Sequence, residues 1–204
     1  MSDCIKRGFD IGISLFGLIF LLPFMVLIGF SIWLRGKQIF FRQERVGLEG
    51  RIFKIVKFRS MSAERNHESP LITIKNDARI TNLGRFLRRS KLDELPQLYN
   101  VLMGEMSIVG PRPEVPKYVG LWPKEDRRIV LSVRPGMTDF ASLRLFDEES
   151  YMARFKDPEE AYIREILPFK LGLYRDYVRN RNLGLDIQIF LATLTKSIRT
   201  LAKI

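Results

Sequence analysis

Between Lys91 and Pro113 the chain reads KLDELPQLYNVLMGEMSIVGPRP, with the adjacent carboxylates Asp93 and Glu94 framed by basic residues on both sides. Arg85, Arg88 and Arg89 lie upstream, and Arg112 stands downstream between Pro111 and Pro113. Acids in such a frame point to phosphate chemistry, because arginines can grip a polyanion while two neighbouring carboxylates divide the labour. One carboxylate can attack a phosphorus atom and form an acyl phosphate, and the other can hold a divalent ion that neutralises a diphosphate. Mg²⁺ suits this arrangement, since it binds few protein carboxylates and takes phosphate oxygens for its remaining positions. Arg88 and Arg112 would then stabilise charge on the phosphoryl oxygens and the leaving group. A salt-bridge cluster at a helix start is the alternative that these residues leave open.

The elements that must hold this pair are partly readable. Proline is tolerated in the first turn of a helix and breaks its interior, so Pro96 places Asp93 and Glu94 at or just before a helix that continues through Leu98 and Val101. Such an end favours carboxylates and phosphates. Thr81 to Arg89 reads as a helix with Leu83, Phe86 and Leu87 inward and the arginines outward. Gln38 to Ser62 reads as two short strands around a turn at Gly47 to Gly50, with imperfect alternation in RIFKIVKF. Ala63 to Arg79, polar and containing His67 and Pro70, reads as a loop beside the site. Ser132 to Arg144 reads as a loop and a short extended run around VRPGMT. Asp157, Pro158, Glu159 and Glu160 make a helix start, predicted to run to about Leu167 with a boundary at Pro168 and a further helix through Tyr177.

Ile11 to Leu34 contains no charged residue and is long enough to cross a bilayer core. Basic residues flank both ends, Lys6 and Arg7 before it and Arg35, Lys37, Arg42 and Arg45 after it, which draws both ends to the cytoplasmic face. Pro23 lies near the middle and bends a helix, so the segment can enter one leaflet and return; a kinked span is the other reading. Near the C-terminus, Ile187, Phe190, Leu191, Leu194, Ile198 and Leu201 with Lys196, Arg199 and Lys203 fit a helix on an anionic membrane surface, or one packed on the domain.

The 34 Lys and Arg against 23 Asp and Glu give a net charge of +11, which calls for an anionic partner: nucleic acid, an acidic membrane or a phosphorylated substrate. A single cysteine, Cys4, excludes an internal disulfide framework and a cysteine-based zinc site, and a single histidine, His67, excludes a His-based triad or a His-rich metal site.

KFRSM at Lys57 to Met61, LGRFLRRSKLDELPQLYNVLMGEMSIVGPRP at Leu83 to Pro113 and VRPGMT at Val133 to Thr138 resemble the bacterial sugar transferase family, the monotopic polyprenyl-phosphate phosphoglycosyl transferases. The resemblance covers nearly the whole chain and includes the apolar segment with its central proline. It implies an α+β, mostly helical fold in three parts: a re-entrant membrane helix-break-helix over 1–37, a small cytoplasmic catalytic domain with short strands over 38–183, and an amphipathic surface helix over 184–204. It implies transfer of a sugar 1-phosphate from a UDP-sugar to polyprenyl (undecaprenyl) phosphate, with release of UMP through a covalent aspartyl phosphosugar intermediate. The implied location is the cytoplasmic face of the bacterial inner membrane, among membrane lipids and without nucleic acid. By motif, Asp93 resembles the nucleophile, Glu94 the Mg²⁺ ligand, and Lys57, Arg88, Arg112 and Arg134 the substrate-binding basic residues.

Two positions depart from the family pattern. Leu22 precedes Pro23 where many members have serine, and Asp139, Phe140, Ala141 and Ser142 follow VRPGMT where many have glycine and a Gln-Val pair. The second departure bears on the sugar more than on the reaction. Sequence leaves open the sugar, the pathway, a homodimer, and two non-enzymatic readings: a membrane-anchored basic binding module or a scaffold.

Overall fold

The computed structural model describes residues 3–36, 38–62, 72–73, 77–144, 151–152 and 154–202, and most of them are helical. The loop expected over 63–79 lies largely outside the described residues, with His67 and Pro70. The first element, α1 (Asp3–Trp33), is one helix with Pro23 inside it and no interruption there. Its 31 residues correspond to about 46 Å if straight. Phe16, Ile19, Phe20, Leu22, Val26 and Leu27 are all more than half exposed, an apolar face that has no partner among the described residues.

The other face of α1 packs on the domain along both of its halves. Near its start, Arg7 donates to the carbonyls of Val101 and Leu102 at 2.6 and 2.8 Å. Those carbonyls belong to the end of α3 (Gln97–Leu102), so Arg7 caps a helix C-terminus, as a cation there should. One turn on, buried Asp10 accepts from Ser107 Oγ and Ile108 N–H, each at 3.0 Å, and Lys6 lies 2.8 Å from Asp186. Past Pro23, contacts become apolar: Ile28 and Ile32 join Phe58 and Leu87 in one buried cluster. Lys6 and Arg7, read from sequence as flanking charges, are thus docking residues.

The hairpin forms where expected: β1 (Phe40–Val46) pairs antiparallel with β2 (Ile52–Phe58), with Phe41 opposite Lys57. Asn100 of α3 extends this pairing, accepting from Val56 N–H at 3.0 Å and donating to the Lys54 carbonyl at 2.9 Å. The helix α2 (Asn82–Arg89) is capped by Thr81, which accepts from Gly84 N–H at 2.9 Å. It approaches the chain after β2 so closely that a Cβ on Gly84 would lie 1.8 Å from the Ser60 carbonyl oxygen. That approach turns α2 so that Leu83 and Leu87 face inward and Phe86, expected inward, is exposed.

A second, parallel pair joins β3 (Ser107–Val109) to β4 (Gly136–Thr138). Here the two glycine-proline motifs meet backbone to backbone: Gly136 N–H bonds the Pro111 carbonyl at 2.9 Å, and a Cβ on Gly136 would lie 2.1 Å from Gly110 N. Between these strands run α4 (Pro116–Val119) and α5 (Lys124–Val130). After β4 comes a short helix, α6 (Phe140–Arg144), where a loop was expected. Asp139 produces it by accepting from Ser142 N–H at 2.8 Å and Ser142 Oγ at 2.7 Å. The four residues departing from the family pattern are therefore a helix cap and its first turn.

Asp157 caps α7 (Pro158–Ala161) as predicted. Pro168 is not a boundary, however, because a π-helical stretch, Tyr162–Ile166, leads directly into α8 (Leu167–Asn180) with Pro168 in its first turn. There the missing N–H removes no bond the helix needs. The last helix, α9 (Leu183–Leu201), buries Asp186 and Ile189 against β3 and α8, while Ile187, Leu191, Leu194, Ile198 and Leu201 form an outward apolar stripe. Of the two sequence readings of this helix, packing on the domain holds for one side; the other side is apolar and exposed.

Candidate active site

Asp93 and Glu94 lie in a single 3₁₀ turn, Leu92–Glu94, between α2 and α3. Ser90 closes α2 by donating to the carbonyls of Phe86 and Leu87, and Lys91 then adopts a left-handed conformation at φ 60°. This turn redirects the chain and carries both acids inward, where Asp93 is 5% and Glu94 9% exposed.

Glu94 is clamped by cations from two other elements. Lys57 of β2 donates to its Oε1 at 3.0 Å. Arg112 reaches both carboxylate oxygens, through Nη1 to Oε2 at 3.2 Å and through a shorter contact from Nη2 to Oε1. The same Nη1 donates to the Met137 carbonyl at 3.2 Å, so β4 orients the guanidinium. Arg45, half-buried beneath, donates to the Pro113 carbonyl at 3.1 Å and pairs with Glu114 at 3.3 Å, which braces the Pro-Arg-Pro turn from behind.

Burial pushes the carboxyl of Glu94 up, but Arg112, Lys57 and Lys91 outweigh it and hold the group well below the usual carboxylate range. Asp93 moves the other way: burial and the neighbouring charge of Glu94 raise it, against the pull of Lys57, Lys91 and Arg88. Lys57 is pushed down to about 8, by burial first and by Arg112 as well, with Glu94 opposing. Two adjacent carboxyls pushed apart in this way are suited to different roles. Glu94 is a permanent anion within a cationic clamp, and Asp93 is the more basic, more nucleophilic carboxylate.

The two acids also differ in their hydrogen bonding. Asp93 Oδ1 is buried with no partner among the described residues, and so are both amide atoms of Gln97, which sequence reading left unassigned. A carboxylate offers about four lone-pair positions, and three of those on Glu94 are taken by Lys57 and Arg112. One remains for a divalent cation, but the adjacent cations oppose such an ion unless an anionic ligand accompanies it. A phosphate-bound Mg²⁺ fits that donor set, and a metal held by protein alone does not. Among the described residues there is no group of three or more metal-ligating side chains.

Of the six expected site residues, the structure brings Lys57, Asp93, Glu94 and Arg112 into direct contact or adjacency. Arg88, half-buried in the last turn of α2, is near enough for its charge to act on Asp93. Arg134 takes another place: its Nε donates to the Gly104 carbonyl at 2.9 Å, and it lines a small polar depression with Lys6, Arg7, Asp10 and Tyr177. Its motif neighbours Gly136 and Met137 do reach the site, Gly136 N–H bonding the Pro111 carbonyl and the Met137 carbonyl accepting from Arg112. Sequence reasoning missed Lys91, whose charge acts on both acids, and Arg45 behind the Pro-Arg-Pro turn. No local signal marks either residue, since their roles depend on the turn after α2 and on the packing of β1 against Pro113.

A family model described as bacterial sugar transferase matches residues 1–200. The chain is 41% identical over 161 residues to a UDP-glucose:undecaprenyl-phosphate glucose-1-phosphate transferase of Xanthomonas campestris pv. campestris, covering 78% of this chain and 31% of that protein. A protein of the same description from Klebsiella pneumoniae is 34% identical over 194 residues, covering 94% of this chain and 39% of its own length. The chain therefore spans about a third of the length of these two relatives. The exopolysaccharide production protein PSS of Rhizobium leguminosarum bv. phaseoli is 35% identical over 207 residues, and the match covers 97% of both chains.

Proposed function

We propose that this chain, which belongs to the bacterial sugar transferase family, transfers a sugar 1-phosphate from a UDP-sugar to polyprenyl phosphate, undecaprenyl phosphate above all, and releases UMP. It would thereby perform the first membrane step of glycoconjugate assembly. The observation that carries the reading is the inequality of the two acids: Glu94 is clamped by Lys57 and Arg112, while Asp93 is buried beside it with an oxygen unpaired.

In this mechanism Asp93 attacks the phosphorus that bears the sugar. The bond from carboxylate to phosphorus forms as the bridging P–O bond breaks, and UMP leaves with that electron pair. The polyprenyl phosphate oxygen then attacks the same phosphorus and returns the electron pair to Asp93. Arg112, kept charged and aimed by Glu94 and the Met137 carbonyl, faces the phosphoryl oxygens together with Lys57 and Arg88. Glu94 is the residue that would hold Mg²⁺, and the ion, when bound, would supply neutralisation of the diphosphate charge.

The site works, in this reading, at the cytoplasmic face of the bacterial inner membrane. Both halves of α1 rest on the same domain, by polar contacts at Arg7 and Asp10 and by apolar ones at Ile28 and Ile32. Although no break at Pro23 interrupts α1, that docking supports a monotopic helix held along its length against the domain, its exposed apolar face in lipid. A soluble nucleotide sugar and a lipid-borne phosphate then reach one aspartate.

The test is a screen of UDP-sugars with undecaprenyl phosphate and Mg²⁺, reading UMP release and the intact mass of the protein. One donor should release UMP and, without lipid, leave a sugar phosphate on the protein; Asp93→Asn should do neither. UMP release by Asp93→Asn removes the nucleophile assignment, and a folded protein inert to every donor removes the activity.

A further inference from the structure

Behind the Pro-Arg-Pro turn runs a line of polar groups that the proposed chemistry does not use. Glu114, the residue after the turn, is tied down by backbone and side chain together: its carbonyl accepts from Val46 N–H at 2.9 Å, and its Oε1 accepts from Val115 N–H at 2.8 Å and from Arg45 Nη1 at 3.3 Å. The same Nη1 donates to the Pro113 carbonyl at 3.1 Å, and Arg45 Nη2 donates to Gln43 Oε1 at 2.8 Å. The other carboxylate oxygen of Glu114 accepts from the Tyr162 hydroxyl. Tyr162 is buried, with its ring centroid 5.0 Å from that of Tyr118 and the Lys170 ammonium 5.0 Å over its face, so the phenol is fixed by packing as well as by its hydrogen bond. It also opens the π-helical stretch that joins α7 to α8, a geometry that is rare inside α-helices and often found at functional sites. The two prolines that flank Arg112 thus have both carbonyls bonded, Pro111 by Gly136 N–H of β4 and Pro113 by Arg45. Arg45 is close enough to Arg112 and Glu94 for both charges to act on it, so an Arg45 released from Glu114 would repel Arg112 and compete for Glu94.

We propose that Tyr162 and Glu114 are positioning residues for Arg112: they hold Arg45 on the Pro113 carbonyl, and Arg45 fixes the turn from which the Arg112 guanidinium reaches the phosphoryl oxygens. The inference rests on the covalent reading above. The Tyr162 proton stays on its oxygen throughout, and what passes along the line is orientation. Orientation counts here because a donor already aimed at the place where charge develops stabilises the transition state without reorganising. The loss is therefore felt in the rate of the chemical step more than in binding of the donor.

Tyr162→Phe in the full-length, membrane-reconstituted protein tests this, because it removes one hydroxyl and keeps the ring. With saturating UDP-sugar and no lipid, the sugar-phosphate adduct, followed by intact mass, should form roughly three- to tenfold more slowly, the worth of one lost hydrogen bond. The donor concentration that gives half the maximal rate should be little changed. A double-mutant cycle with Arg112→Lys separates positioning from packing. In the Arg112→Lys background, Tyr162→Phe should slow adduct formation no further, while the two effects on the thermal midpoint should add. Where that background is too slow to follow, Arg45→Met replaces it, with the same loss of effect expected. Tyr162→Phe that forms the adduct at the parent's rate, or whose slowing persists undiminished in the second background, overturns the inference and spares the proposed function. A parent that turns over without ever forming the adduct overturns both. If Tyr162→Phe does not fold, Glu114→Gln supplies the same readouts, since the amide keeps the shape of the carboxylate and loses the charge that holds Arg45.

Discussion

Among the described residues, the buried ionic cluster that docks α1 and the one around Asp93 are built on opposite rules. Where α1 meets α9, one cation serves two acids: Lys6 stands 2.8 Å from Asp186 and 3.6 Å from Asp10, and the Tyr177 hydroxyl lies 2.7 Å from Asp186. Around Asp93 cations outnumber acids, with Lys57 and Arg112 on Glu94, Lys91 and Arg88 adding their fields, and one oxygen of Asp93 unpaired. The first cluster fastens an apolar helix to its domain. The second keeps positive field and an unpartnered carboxylate oxygen, the condition for drawing in a polyanion and reacting with it. Buried charge alone does not mark a site; a surplus of cations around a buried pair of acids does.

The comparison is broken most forcefully at Asp93. Asp93→Asn should lower turnover by at least about a thousandfold, measured as UMP release, because the covalent carrier is gone. Its stability should move the other way. The fold raises the pKa of Asp93, so stability from this group is present at low pH and lost as pH rises through the folded value. At neutral pH the ionised carboxylate opposes folding, and Asn should leave the thermal midpoint equal or higher.

Glu94→Gln reverses that sign. The depressed pKa of Glu94 contributes stability above its unfolded value, lost on acidification through the folded one. Removing its charge strands Lys57 and Arg112 and should cost about 3–5 kcal/mol in denaturant unfolding. Turnover should fall about a hundredfold and the Mg²⁺ requirement should weaken; an unchanged metal titration counts against the ligand assignment.

In the other cluster, Asp186→Asn leaves Lys6 with only its 3.6 Å contact to Asp10 and should destabilise by about 1–3 kcal/mol, while the folded fraction keeps its kcat. A large kcat loss at full occupancy of the fold would show that the docking of α1 shapes the chemistry as well. The smallest effect is expected at Asp139. Asp139→Ala removes the α6 cap at a cost of about 1 kcal/mol, and a change in sugar preference rather than in overall rate would place the capped turn against the donor.

Much of the frame was legible because its signals are local. Pro96 located the acids before α3, Asp157 with Pro158 started α7, and the glycines after Val46 turned the hairpin. The misreadings came where a local rule met a longer-range one. Pro168 looked terminal, but the π-helical turn before it delivers it to a first turn where its missing N–H is harmless. Phe86 looked inward by periodicity, but the contact of Gly84 with Ser60 sets the rotation of α2. Arg134 looked like a site residue by its motif, yet only the backbone of that motif reaches Arg112, while its side chain bonds Gly104.

By itself the sequence determined an uncharged apolar run long enough to enter a bilayer, an acid pair at a helix start, and arginines on either side of it. These follow from residue type and from spacing within one helical turn. Only the tertiary structure decided that Lys57 and Arg112, 37 and 18 residues away from Glu94, close on the same carboxylate and leave its neighbour exempt. It also decided that Lys6 and Arg7 bind the domain rather than merely flank the membrane segment. The physical reason is that which charge meets which depends on how the hairpin, the Pro-Arg-Pro turn and α1 pack around α3, and that packing is a property of the whole core.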